Sequence, residues 1–344
     1  MILSDLTQEE LCLYAIKLGL PKFRATQIFE AIYSGKSLEE VSNLSKEIKD
    51  KIKEDYPKYK IIKRLISKDG TEKLIVQFAD GKIVECVLMQ YKYGNSLCVS
   101  TQVGCRMGCK FCASTLNGLE RNLSAGEILG QVLLVNKMIG GSLKERKITN
   151  VVLMGSGEPL DNFDNVCKFI ELVSAEKGIN ISQRNISLST CGLVDKIKML
   201  QEKMYNITLT ISLHATVDEK RREVMPIANR WTIKEIIDAC RQYFDATGRR
   251  IYFEYTLIKG VNDSDEDAQR LSQLLKGLVC HVNVIPLNSV KERNLLGSAR
   301  AQAYKFVDNL EKLKVSATVR RTMGEDIEGA CGQLRNKILK ETKE

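Results

Sequence analysis

The sequence predicts an α/β protein: an open, partial (β/α)6 barrel preceded by a small helical and β-hairpin domain. Three observations lead there. From residue 96 onward, short apolar runs alternate with amphipathic segments, which implies a parallel sheet with helices outside it. Candidate capping boxes open several of those helices. Before that point the pattern differs, with helical periodicity first and then two alternating segments around Asp80-Gly81.

Taken in order, helices are predicted over Gln8–Leu18, Ala25–Tyr33 and Lys46–Glu54, with Ile28, Phe29 and Ile32 at helical spacing. Strands follow at Lys60–Ile66, Thr71–Phe78 and Lys82–Tyr91, the last two joined by the Asp80-Gly81 turn. The barrel strands are predicted at Leu97–Gln102, Asn150–Gly155, Asn185–Ser189, Ile207–His214, Arg250–Ile258 and His281–Pro286. Ser124-x-x-Glu127, Thr216-x-x-Glu219 and Thr232-x-x-Glu235 are read as capping boxes. These units are too few to close an eight-stranded barrel, and chemistry in such folds sits at the C-terminal strand ends. The division expected is 1–95 for the helical and hairpin domain, 96–310 for the barrel and 311–344 for a C-terminal segment.

With 44% apolar and 28% charged residues, the 344-residue chain can bury a sizeable core. No run approaches the roughly 18 apolar residues that span a bilayer, and the N-terminus lacks the basic-then-apolar order of a secretory signal. A cytoplasmic protein without membrane contact is expected. The formal charge of +9 favours an anionic partner such as RNA, although many basic enzymes bind none. Lys58, Lys60, Lys63 and Arg64, beside Tyr56 and Tyr59, form a candidate contact run, with Arg24, Arg320 and Arg321 elsewhere; a solvated charged face is the plainer reading of each. Eleven cysteines in a reducing compartment point to metal ligation or redox chemistry rather than to a disulfide framework.

Cys105, Cys109 and Cys112 form a Cys-x3-Cys-x2-Cys motif just after the first barrel strand. Three close thiolates can hold three irons of a cubane and leave the fourth open, where ferredoxin-type clusters use four cysteines. Zinc is the alternative, but it prefers four ligands; no second cysteine pair exists, and the histidines are only His214 and His281. Gly155-Ser156-Gly157-Glu158 ends the second barrel strand, where glycines allow close backbone approach to a ligand; an ordinary strand-to-helix turn reads the same way. His214 on its own reads as a structural histidine. Cys98 and Cys331 on their own read as small buried hydrophobes, and Glu85 as a solvent-facing strand carboxylate. Cys12, Cys86, Cys167, Cys191, Cys240 and Cys280 fit ordinary packing positions.

The cluster motif resembles that of radical S-adenosylmethionine (SAM) enzymes. The run from Leu97 through Cys105 and Cys112 to Thr115, with Glu120-Arg121-Asn122-Leu123, is similar to the RlmN/Cfr family of RNA methyltransferases. Matching motifs continue along nearly the whole chain. They are Phe23-Arg24-Ala25-Thr26-Gln27, Leu153-Met154-Gly155-Ser156-Gly157-Glu158-Pro159, Ser212-Leu213-His214-Ala215, Ile285-Pro286-Leu287-Asn288 and Gly329-Ala330-Cys331-Gly332. Ser156 departs from the family pattern, which often has Met there. The resemblance implies a [4Fe–4S] cluster on Cys105, Cys109 and Cys112. It implies SAM contacts from Gly157, Glu158, Ser189, Ser212, Leu213, His214 and Asn288, with Phe111 packed over the cofactor.

The same resemblance implies that Cys331 carries a methyl group from a first SAM, and that a radical from a second SAM activates it for addition to adenine. Cys98 then resolves the adduct through a transient disulfide, and Glu85 matches the position of a proton acceptor. The implied substrates are adenosine 2503 of 23S rRNA, in the peptidyl transferase centre, and adenosine 37 of tRNA, methylated at C2. An electron donor such as flavodoxin and a monomeric state are expected with it. Methylation at C8 is the nearest alternative, though Ala113-Ser114-Thr115 through Glu120-Arg121 looks more like the C2 branch. An activase acting on protein shares the cluster but needs no Cys98/Cys331 pair. A metal-stabilised RNA-binding module would cleave no SAM.

Overall fold

The computed structural model describes residues 2–287 and 295–327. Three helices open the chain: α1 (Gln8–Lys17), α2 (Lys22–Tyr33) and α3 (Lys46–Ile52). Thr7 caps α1 in a reciprocal box with Glu10, and Ser45 caps α3 through the Ile48 N–H, which answers backbone donors that a helix start leaves unpaired. Next come β1 (Lys60–Ile66), β2 (Glu72–Gln77), β3 (Ile83–Tyr91) and β4 (Gly94–Cys98), each antiparallel to the one before. A short hairpin, β5 (Gln102–Gly104) with β6 (Leu119–Asn122), then closes off the loop bearing the cysteine motif.

The barrel proper follows as β7 (Ile148–Leu153), β8 (Ile186–Thr190), β9 (Thr208–Ser212), β10 (Ile251–Leu257) and β11 (Cys280–Pro286). Before, between and after them run α4 (Ala125–Met138), α5 (Phe163–Ser174), α6 (Val194–Glu202), α7 (Asp218–Val224), α8 (Ile233–Thr247), α9 (Asp265–Leu275) and α10 (Arg300–Lys312). A final strand, β12 (Ala317–Val319), adds in parallel beside β11. The sequence pattern does not predict β12, because three residues are too few to display alternation.

Every strand except β5 and β6 belongs to one ten-stranded sheet, ordered β1-β2-β3-β4-β7-β8-β9-β10-β11-β12. The pairings from β4 through β12 are parallel, which gives the open barrel with its helices outside. The antiparallel strands of the N-terminal part are therefore a direct extension of the barrel sheet. One apolar core runs from the first helices to α10.

The boxes at Ser124/Glu127 and Thr232/Glu235 form as predicted, and Ser264/Asp267 adds another at α9. The box at Thr216/Glu219 does not form. The helix there starts two residues later with Val217 at its cap position, and the Thr216 hydroxyl donates to Asp267 (3.0 Å). A buried carboxylate outcompetes the local backbone for that hydroxyl.

Candidate active site

A cavity of about 370 Å³ opens at the C-terminal ends of the barrel strands. Cys105, Cys109 and Cys112 line it on one side, Cys98 with Val87, Met89 and Tyr91 on another, and Ser189, Ser212 and His214 on a third. That size and mixed lining suit a cofactor-sized ligand.

The cysteine loop is held at its base and its middle. The Cys105 N–H donates to the Gly118 carbonyl (2.9 Å), beside the β5–β6 hairpin. The Thr115 hydroxyl donates to the carbonyls of Cys109 (3.1 Å) and Cys112 (2.9 Å), and the Lys110 N–H donates to Val224 at the end of α7 (2.9 Å). Burial pushes the Cys105 thiol up to about 12 and the Cys109 thiol higher still, so a free thiolate there is costly until a cation joins it. Phe111 lies on the same wall and meets His214 edge-on, with ring centres 4.8 Å apart.

The Gly155–Glu158 turn forms the floor. A Cβ on Gly157 would stand 2.7 Å from the Thr101 hydroxyl oxygen and 2.8 Å from the Gln102 nitrogen, at a φ of +113° that side chains avoid. Ser156 is buried and turned away from the cavity. Its N–H donates to the Ser100 hydroxyl (2.9 Å), and its own hydroxyl pairs with Ser114 (3.2 Å), so the family's Met position is filled here by a polar pin. Glu158 is 4% exposed. Its carboxylate accepts from the N–H groups of Cys191 (2.8 Å) and Leu160 (3.0 Å), while burial raises its pKa. Each oxygen keeps lone-pair capacity for a further donor.

On the far wall, the Ser189 and Ser212 hydroxyls are 3.5 Å apart. His214 has a positive φ of 57° and is buried; its Nδ1 accepts the Thr256 N–H (3.0 Å), which leaves Nε2 to carry the ring proton. Burial, aided by Arg221, pushes His214 down to about 3. The Leu213 side chain is fully buried in the core and is not part of the cavity lining, and its carbonyl accepts from Arg221 (3.0 Å). Strand alternation turns Leu213 inward, between Ser212 and His214 on the cavity side.

Arg221 and Cys191 were not singled out by the sequence. Arg221 is fully buried, and its guanidinium donates to the carbonyls of Leu213, Cys191 (2.7 Å) and Ser212 (3.2 Å). Its Nη1 is buried with no hydrogen-bond partner among the described residues, and its charge acts on Cys109 and Cys191. Cys191 lines the cavity, its thiol pushed well up by burial.

Cys98 is buried in an apolar cluster with Val87 and Met89, against which Met154 and Met323 pack. Glu85 is not solvent-facing. It is 3% exposed and stands 3.6 Å from Lys73, which is itself fully buried. It shares a face of β3 with Val87, Met89 and Tyr91, but lies one step beyond the cavity wall. Residues Arg320 to Met323 close the cavity from the C-terminal side, with Arg320 held by Glu254 (3.4 Å). That segment is tied to the β1–β2 turn: the Gly324 N–H donates to Asp69 (3.0 Å), and Asp326 accepts from the Ser67 hydroxyl and the Lys68 N–H (3.1 Å). Asn288 and Cys331 lie outside the described residues. Of the proposed RNA-contact run, Tyr56 is buried in the core and Tyr59 packs against α4 at Gly130; Lys58 and Arg64 pair with Glu54 (3.3 Å) and Glu72 (2.6 Å).

Comparison with known proteins agrees with this fold. Residues 99–271 match the family model of the Radical SAM superfamily, and residues 1–56 match the ribosomal RNA large subunit methyltransferase N-terminal domain. A probable dual-specificity RNA methyltransferase RlmN from Clostridium perfringens (strain 13 / Type A) is 54% identical over 98% of this chain and 97% of its own. Another from Lachnospira eligens is 50% identical over 99% and 98%. The crystal structure of a radical SAM methyltransferase from Sphaerobacter thermophilus superposes with a TM-score of 0.92 at 38% identity, over 97% of this chain and 98% of that one.

The superfamily's cofactors are a [4Fe–4S] cluster and SAM, and the residues present fit them. The buried Cys105 and Cys109 and the half-buried Cys112 line the same cavity, with an unsatisfied guanidinium donor near Cys109 that suits an anionic thiolate-bound group. Among the described residues, no three His, Cys, Asp or Glu side chains converge on a point to hold a single ion such as zinc. Cys105, Cys109 and Cys112 would hold the cluster, and Glu158, Ser189 and Ser212 would meet SAM. The chain belongs to the RlmN family of radical SAM RNA methyltransferases.

Proposed function

We propose that this protein methylates C2 of adenosine, at position 2503 of 23S rRNA and position 37 of tRNA, through an S-methyl group carried on Cys331 and with two SAM per turnover. In this reading the Cys331 thiol takes the methyl group of a first SAM. Cys105, Cys109 and Cys112 would hold the cluster, which would pass one electron from a donor such as flavodoxin to a second SAM and so supply the chemistry that removes a hydrogen atom from that S-methyl group. The carbon then joins C2, a position with no nucleophilic lone pair for polar methyl transfer. Restoring the ring would then release one electron, back to the cluster, and the C2 proton, which Glu85 is proposed to take up. The Cys98 thiolate attacks the Cys331 sulfur and breaks its bond to carbon; the released carbon takes a proton to become the methyl group of the freed RNA, and an external reductant restores both thiols from the disulfide.

The observation that carries the reading is that Cys98 and the three cluster cysteines line one cavity. Ile327, the last described residue, precedes Cys331 by four positions, at most about 14 Å of extended chain. Met323 already packs against the Cys98 cluster. Residues 1–95 are proposed to dock the RNA.

The test uses RNA from a host lacking the modification, treated with anaerobically reconstituted protein, SAM and reductant. Digestion and mass spectrometry should yield 2-methyladenosine. Formation of 8-methyladenosine would favour the C8 alternative, and unmodified adenosine would refute both. The substitution Cys331→Ala should abolish product, whereas an activase acting on protein would be indifferent to it.

A further inference from the structure

We propose that Tyr93, backed by Tyr91, is a stacking platform for a nucleobase of an unpaired RNA segment beside the target adenosine. The inference rests on the RNA reading above and names a surface that reading leaves unassigned. Tyr91 ends β3 and lines the cavity; Tyr93 sits two residues on, in the tight turn to β4. Their rings lie nearly parallel, 7° apart in plane with centres 4.9 Å apart. Tyr93 is 72% exposed, the most open of the large apolar side chains among the described residues.

A single exposed aromatic needs no explanation. This one is different in three respects. Its inner face is covered by a ring that belongs to the cavity wall, so a base laid on its outer face would extend the stack outward from the reaction site. Its turn is fixed: a Cβ on Gly94, at a φ of +136°, would fall 2.3 Å from the Thr149 hydroxyl oxygen, and that hydroxyl donates to the Asn95 carbonyl (3.1 Å). The Asn95 side chain in turn donates to the Lys147 carbonyl (3.0 Å). The neighbouring charges also suit a phosphate backbone, with exposed Lys92 in the same turn and exposed Arg321 on the cavity wall.

Extracting one base from a loop unstacks its neighbour, and an aromatic face restores that lost contact without regard to base identity. A protein or lipid partner would profit as much from Leu as from Tyr at this position. Aromatic stacking distinguishes the two.

The experiment compares Tyr93→Leu and Tyr93→Trp in the reconstituted full chain. The probes are a stem-loop RNA with adenosine in the loop and a fully paired duplex of the same length. The Leu variant should bind the stem-loop about ten-fold more weakly or worse, which is the usual loss of one base–aromatic stack. Duplex binding should not change. The Trp variant should bind as the native protein does, and its added fluorescence should be quenched by the stem-loop alone. Iron content and melting temperature check that each variant is intact. Equal stem-loop affinity of the Leu and native proteins overturns the platform and leaves the methylation reading standing. Tyr93-dependent stem-loop binding without any methylated product keeps the platform and overturns that reading. Absence of RNA binding by the native protein overturns both.

Discussion

Replacing Arg221 with Met should lower the melting temperature by about 6 °C. The guanidinium is fully buried and gives three charged hydrogen bonds, to the carbonyls of Leu213 (3.0 Å), Cys191 (2.7 Å) and Ser212 (3.2 Å). At about 1.5 kcal/mol each these amount to roughly 4–5 kcal/mol, within the range found when a buried charged network loses one member. Met fills similar space but leaves the carbonyls unpaired. It also removes the orphaned Nη1, which returns part of the loss and brings the net to about 4 kcal/mol. A chain of 344 residues unfolds with an entropy near 0.7 kcal/mol/K, taking about 2.1 cal/mol/K per residue, and 4 kcal/mol then corresponds to about 6 °C. Arg221→Lys should fall between, because a point charge cannot reach three divergent carbonyls. The assay is calorimetry of the apo-protein under anaerobic, reducing conditions at one scan rate. A shift under about 1 °C for the Met variant would refute the claim that this side chain ties the ends of β8 and β9 together.

The remaining predictions follow from other parts of the cavity and its surroundings. His214 is held neutral, near 3, against an unfolded value of about 6.5, so folding stability should be complete above pH 6.5 and fall as the pH drops towards 3. Between pH 7.5 and 5 the loss is about 2 kcal/mol, and His214→Gln should flatten that part of a calorimetric stability–pH profile. Gly157→Ala should weaken SAM binding at least ten-fold by titration calorimetry, because its Cβ meets the Gln102 backbone at 2.8 Å; unchanged affinity would remove the close-approach argument. Where the C-terminal segment meets the β1–β2 turn, the N–H groups of Gly324 and Thr71 hold Asp69 well below the usual carboxylate range, and the Ser67 hydroxyl lowers Asp326. These contacts are present above the unfolded carboxylate value and lost only as the pH falls through the lowered ones. Exchange protection of the Gly324 amide, corrected for its intrinsic rate, should therefore be equal at pH 8 and 5, and Asp69→Ala should abolish it at both.

Most of the barrel was readable because its short strands carry buried apolar residues at alternate positions, as in Ile186-Ser187-Leu188 and Leu209-Thr210-Ile211, between longer amphipathic segments. The cysteine motif was readable because its chemistry is local in sequence, and so was the Gly-Ser-Gly-Glu turn. What escaped depended on contacts between distant segments. Arg221 lies in a charged run, Asp218-Glu219-Lys220-Arg221-Arg222, and nothing in that run tells its buried member from the exposed ones. The Thr216 hydroxyl found Asp267, fifty-one residues away, instead of its own helix start. Tyr56 and Tyr59 looked available to RNA beside their lysines, yet they pack inward, while Tyr91 entered only as the end of a predicted strand and nothing in the sequence marks Tyr93. Leu213 entered with its neighbours by motif, and only the pleat shows that its side chain faces away from them.

The unbroken run of strands from β1 to β12 limits how far this enzyme can be trimmed. Val87, Met89 and Tyr91 of β3 form part of the cavity lining, and β3 covers one edge of β4. Removing the first 95 residues would thus strip away a side of the reaction chamber and bare a row of unpaired amides along β4, an invitation to self-association. A minimal catalytic fragment has to retain β3 at least, and its antiparallel partner β2 with it; the helices before residue 56 share the barrel's apolar core, so their loss would also bare the faces they cover.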